Sequence, residues 1–289
     1  MDNKPVTAEK ARRRLNSDTV YYIVNTAILV LLTLIVVYPL YFLVIASISD
    51  PDLVLNGEVL FYPREITFSG FERLFQDNKI WNGYLNTIIN TVASTAISLA
   101  ITVAAGYGLS RPNMIFKKFF LWLFIITMFF GGGLIPFYLV VSQLGWINTR
   151  WALILPGIAG GQVGAIFLFR TFFSQQPASL FESATLDGAN DLVLYAKITL
   201  PLAVPVLIIQ GLGTFSLMYN DFLWPTLVVR NDAIQTLMPR LKYLAESVNM
   251  TKPGVAYAMY LLAGVPLAIT SLIGLKYFIN GDFASGMKL

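Results

Sequence analysis

The chain has 289 residues, 56% of them hydrophobic and 12% charged, with a mean hydropathy of +0.66 and a formal net charge of +4. So few charges cannot cover a soluble protein of this length, whereas lipid solvates apolar faces directly, so the composition specifies a polytopic membrane protein. The absence of Cys and His excludes disulfides, zinc sites, thiol nucleophiles and an imidazole base, and the small positive charge reads as a topology signal rather than a nucleic-acid footprint.

In chain order, Met1–Asn16 is polar and carries Lys4, Lys10, Arg12, Arg13 and Arg14. The apolar run that follows outlasts a signal-peptide core and has no small-x-small cleavage site with polar sequence behind it, so it reads as a retained anchor. A spanning helix needs about 20 mostly apolar residues. Six segments qualify: Val20–Ile48, Tyr84–Leu109, Phe119–Val141, Trp151–Phe169, Ile198–Tyr219 and Val255–Tyr277. Gly131, Gly132, Gly133 and Pro136 interrupt the third, and Pro156, Gly157, Gly160 and Gly161 loosen the fourth. These are flex points or sites of close packing through small residues. Pro201 and Pro205 set a kink near the start of the fifth. Trp81, Trp146, Trp151 and Trp224 read as interfacial anchors.

The loop Ser49–Gly83 holds Pro51, Gly57, Pro63 and Gly70, the marks of a small folded element, and Leu223–Gly254 is also long. With the N-terminus inside, the inner loops take twelve of the 20 basic residues and seven of the 16 acidic ones. That asymmetry places both termini in the cytoplasm. The organisation is therefore a cytoplasmic segment 1–19, a six-span domain 20–279 and a tail 280–289, all-α and integral to the membrane.

No span carries an ionisable residue in its interior, where proton relays and many ion sites need one. This weighs against a self-powered secondary carrier, the alternative reading. A membrane-embedded enzyme would need a catalytic cluster that a chain without His or Cys does not supply. Nor is there a nucleotide site. Gly281 to Lys288 resembles a P-loop only loosely, since Met287 separates Gly286 from Lys288 and no helix follows.

One inner stretch, Arg170–Lys197, is too long for a turn. Pro177 stops the preceding span, and Ser179 with Glu182 has capping-box spacing, so a short helix is expected to start near Leu180. Gly188 is a natural residue to end it, and Asn190 can cap a second helix leading to Pro201. Glu182-Ser183-Ala184, Gly188 and Ile198-Thr199-Leu200-Pro201 match, spacing for spacing, the EAA signature of permease subunits of bacterial ABC importers, with Ser183 in place of Ala. Asp187-Gly188-Ala189, Leu200 to Pro205, and the tail residues Ile279-Asn280-Gly281 and Gly286-Met287-Lys288 resemble the smaller subunit of the maltose-permease type.

The resemblance covers the whole chain and implies a six-helix type I importer permease with a coupling helix at about 178–190. By the same resemblance Glu182, Ser183, Ala184, Asp187, Gly188, Ala189, Ile198, Leu200 and Pro201 would contact an ATPase subunit. The implied partners are a second permease subunit, two ATPase subunits carrying ATP and Mg, an extracytoplasmic solute-binding protein, membrane lipid and a carbohydrate, an oligosaccharide in preference to a single sugar. A fragment of an acidic polysaccharide of alginate or pectin type is the substrate expected. The chain itself would bind no cofactor or metal and no nucleic acid. Uncharged polar residues within or beside the spans are candidates to line a sugar pathway, namely Asn90, Gln162, Gln210, Thr214 and Asn220, although buried amides serve equally as interhelical glue.

Overall fold

The computed structural model describes residues 6–155, 162–248 and 253–279. Every regular element among them is helical. Three expected spans are continuous helices: α1 (Val6–Ser47), α4 (Asn78–Ser110) and α15 (Pro253–Ile279). Between the first two lie the short α2 (Pro51–Leu55) and α3 (Ser69–Gln76). At 1.5 Å per residue, α4 runs about 50 Å, so its ends project beyond a hydrocarbon core of about 30 Å.

The third span is broken where its glycines interrupt it. It is two helices, α5 (Lys117–Phe129) and α6 (Leu134–Gln143), which meet at 116°. Gly133 at φ +78° makes the turn, and a side chain at Gly131 or Gly133 would meet nothing within 4 Å. The glycines therefore bend the chain and do not pack it. The fourth span is seen as α7 (Arg150–Ile154) and the twelve-residue α8 (Val163–Ser174), while Pro156, Gly157, Gly160 and Gly161 lie outside the described residues. The tail residues from Asn280 onward also lie outside them.

The fifth span carries the kink expected at its prolines. Past α9 (Ala178–Leu186) and α10 (Asp191–Val193), the chain runs through a π-helical stretch, Leu194–Thr199, into α11 (Leu200–Leu202). It then bends by 75° into α12 (Val204–Asn220). Pro201 and Pro205 each lack the N–H that a continuous helix would use there, and Ala203 is left at the break. The residues Ile198–Pro201 thus belong to the arm before the bend, not to the first turn of the span. Beyond α12 come α13 (Leu223–Val228) and α14 (Leu237–Val248).

The chain divides into two compact units, Met1–Arg73 with Met250–Leu261, and Leu74–Asn249 with Leu262–Leu289. In the first, the loop after α1 is folded as expected. Pro51 opens α2, and the Asp50 carboxylate caps it by accepting from the Asp52 and Leu53 N–H groups at 2.9 and 3.4 Å. Ile45, Ala46, Val54 and Val59 form the core there, with Phe42, Leu53 and Tyr257 against it. Backbones approach closely at Gly70, where a Cβ would stand 2.7 Å from the Gly254 carbonyl oxygen.

In the second unit α4 is the spine. A Cβ on Gly106 would lie 2.6 Å from the Phe169 Cβ of α8, so only glycine permits that contact. Val103, Tyr107, Phe169, Phe173 and Ala203 form the core at this end, with Tyr195 and Leu200 packed on it. A second cluster joins Val141, Ala152, Leu153, Val228 and Val229. Trp146 and Trp224, both partly buried, pack on it, and the Trp224 indole N–H donates to the Ala152 carbonyl at 2.7 Å.

Candidate functional site

Helix α9 begins where Pro177, extended at ψ 128°, turns into Ala178, and no side chain caps it. The expected capping box therefore does not form. Ser179 lies inside the first turn, and its carbonyl accepts the Ser183 hydroxyl at 2.8 Å. The Thr185 hydroxyl likewise bonds back to the Phe181 carbonyl at 2.7 Å. Glu182 is thereby released from any capping duty. It is exposed and has no hydrogen-bond or ion-pair partner among the described residues.

The helix stops in a Schellman motif. The Gly188 N–H donates to the Thr185 carbonyl at 3.0 Å and the Ala189 N–H to the Ala184 carbonyl at 2.9 Å. Gly188 takes φ +85° with open space around it, so backbone conformation and not crowding demands glycine there. Asp187 is the last residue before that turn. Asn190 then caps the next segment, its side-chain oxygen accepting from the Val193 N–H at 2.9 Å. A nine-residue helix with no buried residue is marginal by itself, so these end bonds and its neighbours must hold it. Leu186, 89% exposed, gives the tip an apolar knob beside the acid.

Glu182, Ser183, Ala184, Asp187, Gly188 and Ala189 are thus gathered on one exposed helix and turn. Ile198, Leu200 and Pro201 sit on the following arm, where Leu200 packs against the core of α4 and α8 and Pro201 is exposed. Two further residues join these pieces, and the sequence had offered them only as a charge and an aromatic. The Arg111 guanidinium lies over the Tyr107 ring of α4 at 4.3 Å and over the Phe181 ring of α9 at 4.1 Å. The Tyr107 hydroxyl donates to the Asp191 carbonyl at 3.2 Å.

The pathway candidates are engaged in hydrogen bonds within the protein. The Gln210 amide donates to the Thr214 hydroxyl at 3.4 Å one turn along α12, and Thr214 is buried. The Gln162 side chain accepts from Thr102 at 3.4 Å, and Asn220 bonds back to the Ser216 carbonyl at 2.9 Å. Asn90 accepts from Arg150 at 3.5 Å, while its Nδ2 is buried without a partner. Asn90 borders a small cavity of about 30 Å³ lined also by Thr91, Ser94, Asp221 and Thr236, with Leu153 and Met218 among its apolar walls. A larger hollow of about 720 Å³ lies at the Asn78 end of α4, between Asp77, Lys79, Phe222, Thr226, Asp232 and Arg240. Among the described residues no three Asp or Glu side chains gather to hold a metal.

Residues 80–280 match the family of binding-protein-dependent transport system inner membrane components. The polygalacturonan/rhamnogalacturonan transport system permease protein of Bacillus subtilis is 29% identical over 90% of the chain and 95% of its own length. The arabinooligosaccharides transport system permease protein of Halalkalibacterium halodurans is 31% identical over 88% of the chain and 92% of its own length. Among solved structures, a chain of a bacterial ABC transporter involved in the import of the acidic polysaccharide alginate aligns with a TM-score of 0.84. It is 30% identical and the alignment covers 91% of this chain and 98% of that one.

Proposed function

Because the chain belongs to the family of binding-protein-dependent transport system inner membrane components, we propose that α9 and the turn at Gly188 are its contact with the ATPase subunits of an importer. The chain is a transport subunit of an ABC importer in a bacterial inner membrane. Membership in a binding-protein-dependent family leaves the ion-coupled carrier reading without support. The observation that carries the docking role is the exposed, unpaired Glu182 on a helix tied down at its far end by the Schellman turn. A carboxylate free of capping duty is available to a basic or donor group on another protein. Ser183, Ala184, Asp187 and Ala189 share that surface, while Ile198, Leu200 and Pro201 carry its displacement toward α12.

The cargo is a carbohydrate, which the names of both relatives support, and in this reading an oligosaccharide, which the name of the second supports. The solved neighbour belongs to an importer of the acidic polysaccharide alginate and one relative is named for polygalacturonan transport, which supports an anionic oligosaccharide. A second permease subunit, two ATPase subunits that hold ATP and Mg, and a solute-binding protein complete the assembly. The loop charges favour cytoplasmic termini on either side of the membrane domain 20–279. Asn90, Gln162, Gln210, Thr214 and Asn220 remain the pathway candidates of this chain.

The test is reconstitution of the whole importer with its binding protein in proteoliposomes, followed by ATP hydrolysis in the presence of oligogalacturonate, oligoalginate or maltodextrin. Stimulation by an acidic oligosaccharide, with ATPase subunits co-purifying, is the expected result. No stimulation by any oligosaccharide, or an assembly without ATPase subunits, overturns the reading.

A further inference from the structure

We propose that Arg111 is a positioning residue that ties α9 to α4, so that the motor contact and the spanning helix move as one body. This rests on the reading of α9 as the docking element. Along the backbone, the route from α9 to the span α12 crosses the turn at Gly188, a π-helical stretch and a 75° bend. Each is a place where a push can be absorbed as rotation rather than passed on. A short helix with no buried residue needs a lateral connection if its displacement is to reach the membrane.

The structure holds one such connection at the end of α4. Arg111 follows Ser110 in extended conformation, at φ −68° and ψ 136°, which turns its side chain back over the last turn. Its guanidinium covers Tyr107 on α4 and Phe181 on α9 at 4.3 and 4.1 Å. Its Nε is buried without a hydrogen-bond partner, and among the described residues no carboxylate pairs with it. Ring faces therefore hold this cation. Tyr107 also grips the far side of the turn, through its hydroxyl on the Asp191 carbonyl at 3.2 Å and its ring 5.0 Å from that of Tyr195. The segments before and after Gly188 are both fastened to one turn of α4, on either side of the hinge that the backbone provides.

A charge at a loop also serves topology, and lysine serves that purpose equally while lacking the flat plate that stacks between two rings. Arg111→Lys in the complete importer separates the two roles. The expected result is normal insertion, normal association with the ATPase subunits and continued ATP hydrolysis, with solute moved per ATP lowered about tenfold. Phe181→Leu should do the same, the double variant should be no worse than either single one, and Phe181→Tyr should retain wild-type coupling.

A chain without cysteine accepts a spin-label pair cleanly. With Ala104→Cys and Ser179→Cys, the distance should hold constant through the nucleotide cycle, and vary in the Arg111→Lys background. Wild-type solute-to-ATP ratio in Arg111→Lys overturns the proposal, as does a label distance that changes in the otherwise unaltered protein. Loss of ATPase association in Arg111→Lys overturns it as well, because the stack would then serve to fold α9 rather than to transmit its movement. The docking reading fails separately, if Gly188→Trp still binds the ATPase subunits.

Discussion

The two ends of α4 are fastened by different chemistry. At the Asn78 end the fastenings are directional. The Asn86 amide donates to the carbonyls of Ala233 and Gln235 at 2.8 and 3.2 Å, and its oxygen accepts from Arg150 at 2.7 Å. The Thr87 hydroxyl accepts the Leu237 N–H at 2.7 Å, and Arg240 donates to the carbonyls of Lys79 and Asp232. At the Ser110 end the fastenings are mainly faces, with Gly106 on α8, Tyr107 among Phe173 and Tyr195, and Arg111 between rings, beside one hydrogen bond from the Tyr107 hydroxyl to the Asp191 carbonyl. Hydrogen bonds fix orientation and are lost when partners slide by an ångström. Stacked faces hold two helices together through area and charge rather than through one bond direction. One end fixes a loop, and the other joins two helices into the single body proposed above.

The largest expected effect lies at the moving end. Gly188→Trp puts a β-carbon at φ +85° and fills open space beside the proposed docking face. Uptake and co-purification of ATPase subunits should both disappear while membrane insertion remains. Gly188→Asn, which tolerates the left-handed region, should keep most of both. Next comes Gly106→Leu, which drives a side chain into Phe169. It should destabilise the protein by about 1–3 kcal/mol, read as a lower Tm in detergent, with amide exchange of 229–237 unchanged.

At the fixed end, Asn86→Leu leaves two loop carbonyls and Arg150 short of a partner. The expected cost is about 1–2 kcal/mol, with faster amide exchange in 229–237 and an unaltered solute-to-ATP ratio. Uncoupling by Asn86→Leu would break the contrast between the two ends of α4.

Asp221, just past α12, gives a smaller effect with a definite pH sign. Burial raises its pKa above the ordinary 3.8, and N–H groups of Trp224 and Leu223 only partly oppose this. The folded state then holds the proton more tightly than the unfolded one. Its favourable contribution is complete below pH 3.8 and is lost as pH rises through the raised value. Asp221→Asn should therefore raise Tm at neutral pH and change little in acid. The Lys79–Asp232 pair is the smallest case, at 2.8 Å but with 70% and 68% of the side chains exposed. Asp232→Asn should leave Tm unchanged in high salt.

Hydropathy located the long continuous helices well. Val20–Ile48, Tyr84–Leu109 and Val255–Tyr277 lie within or beside α1, α4 and α15. It could not locate the breaks, because Phe119–Val141 is equally apolar whether the chain passes straight through Gly131–Gly133 or turns by 116°. Around α9, Gly188 and Asn190 were legible because their roles are local. The capping box was not, since Ser179 and Glu182 have the right spacing but Pro177 starts the helix two residues before Ser179. Arg111 read as one more inner charge. Its meaning depends on Phe181, seventy residues away, and no local pattern records that.

The π-helical stretch Leu194–Thr199 has a consequence for the bookkeeping of residues. A π turn carries one more residue per hydrogen-bonded ring than an α turn, so it sets the rotational phase between Tyr195, which faces Tyr107, and Leu200, which faces the core of α4 and α8. Deleting a single residue there would let the helix regularise and swing one of the two by about 100°. The signature's fixed count of nine residues between Gly188 and Ile198 thus acts as an angular setting, and a frame-preserving deletion should be tolerated less well there than a substitution.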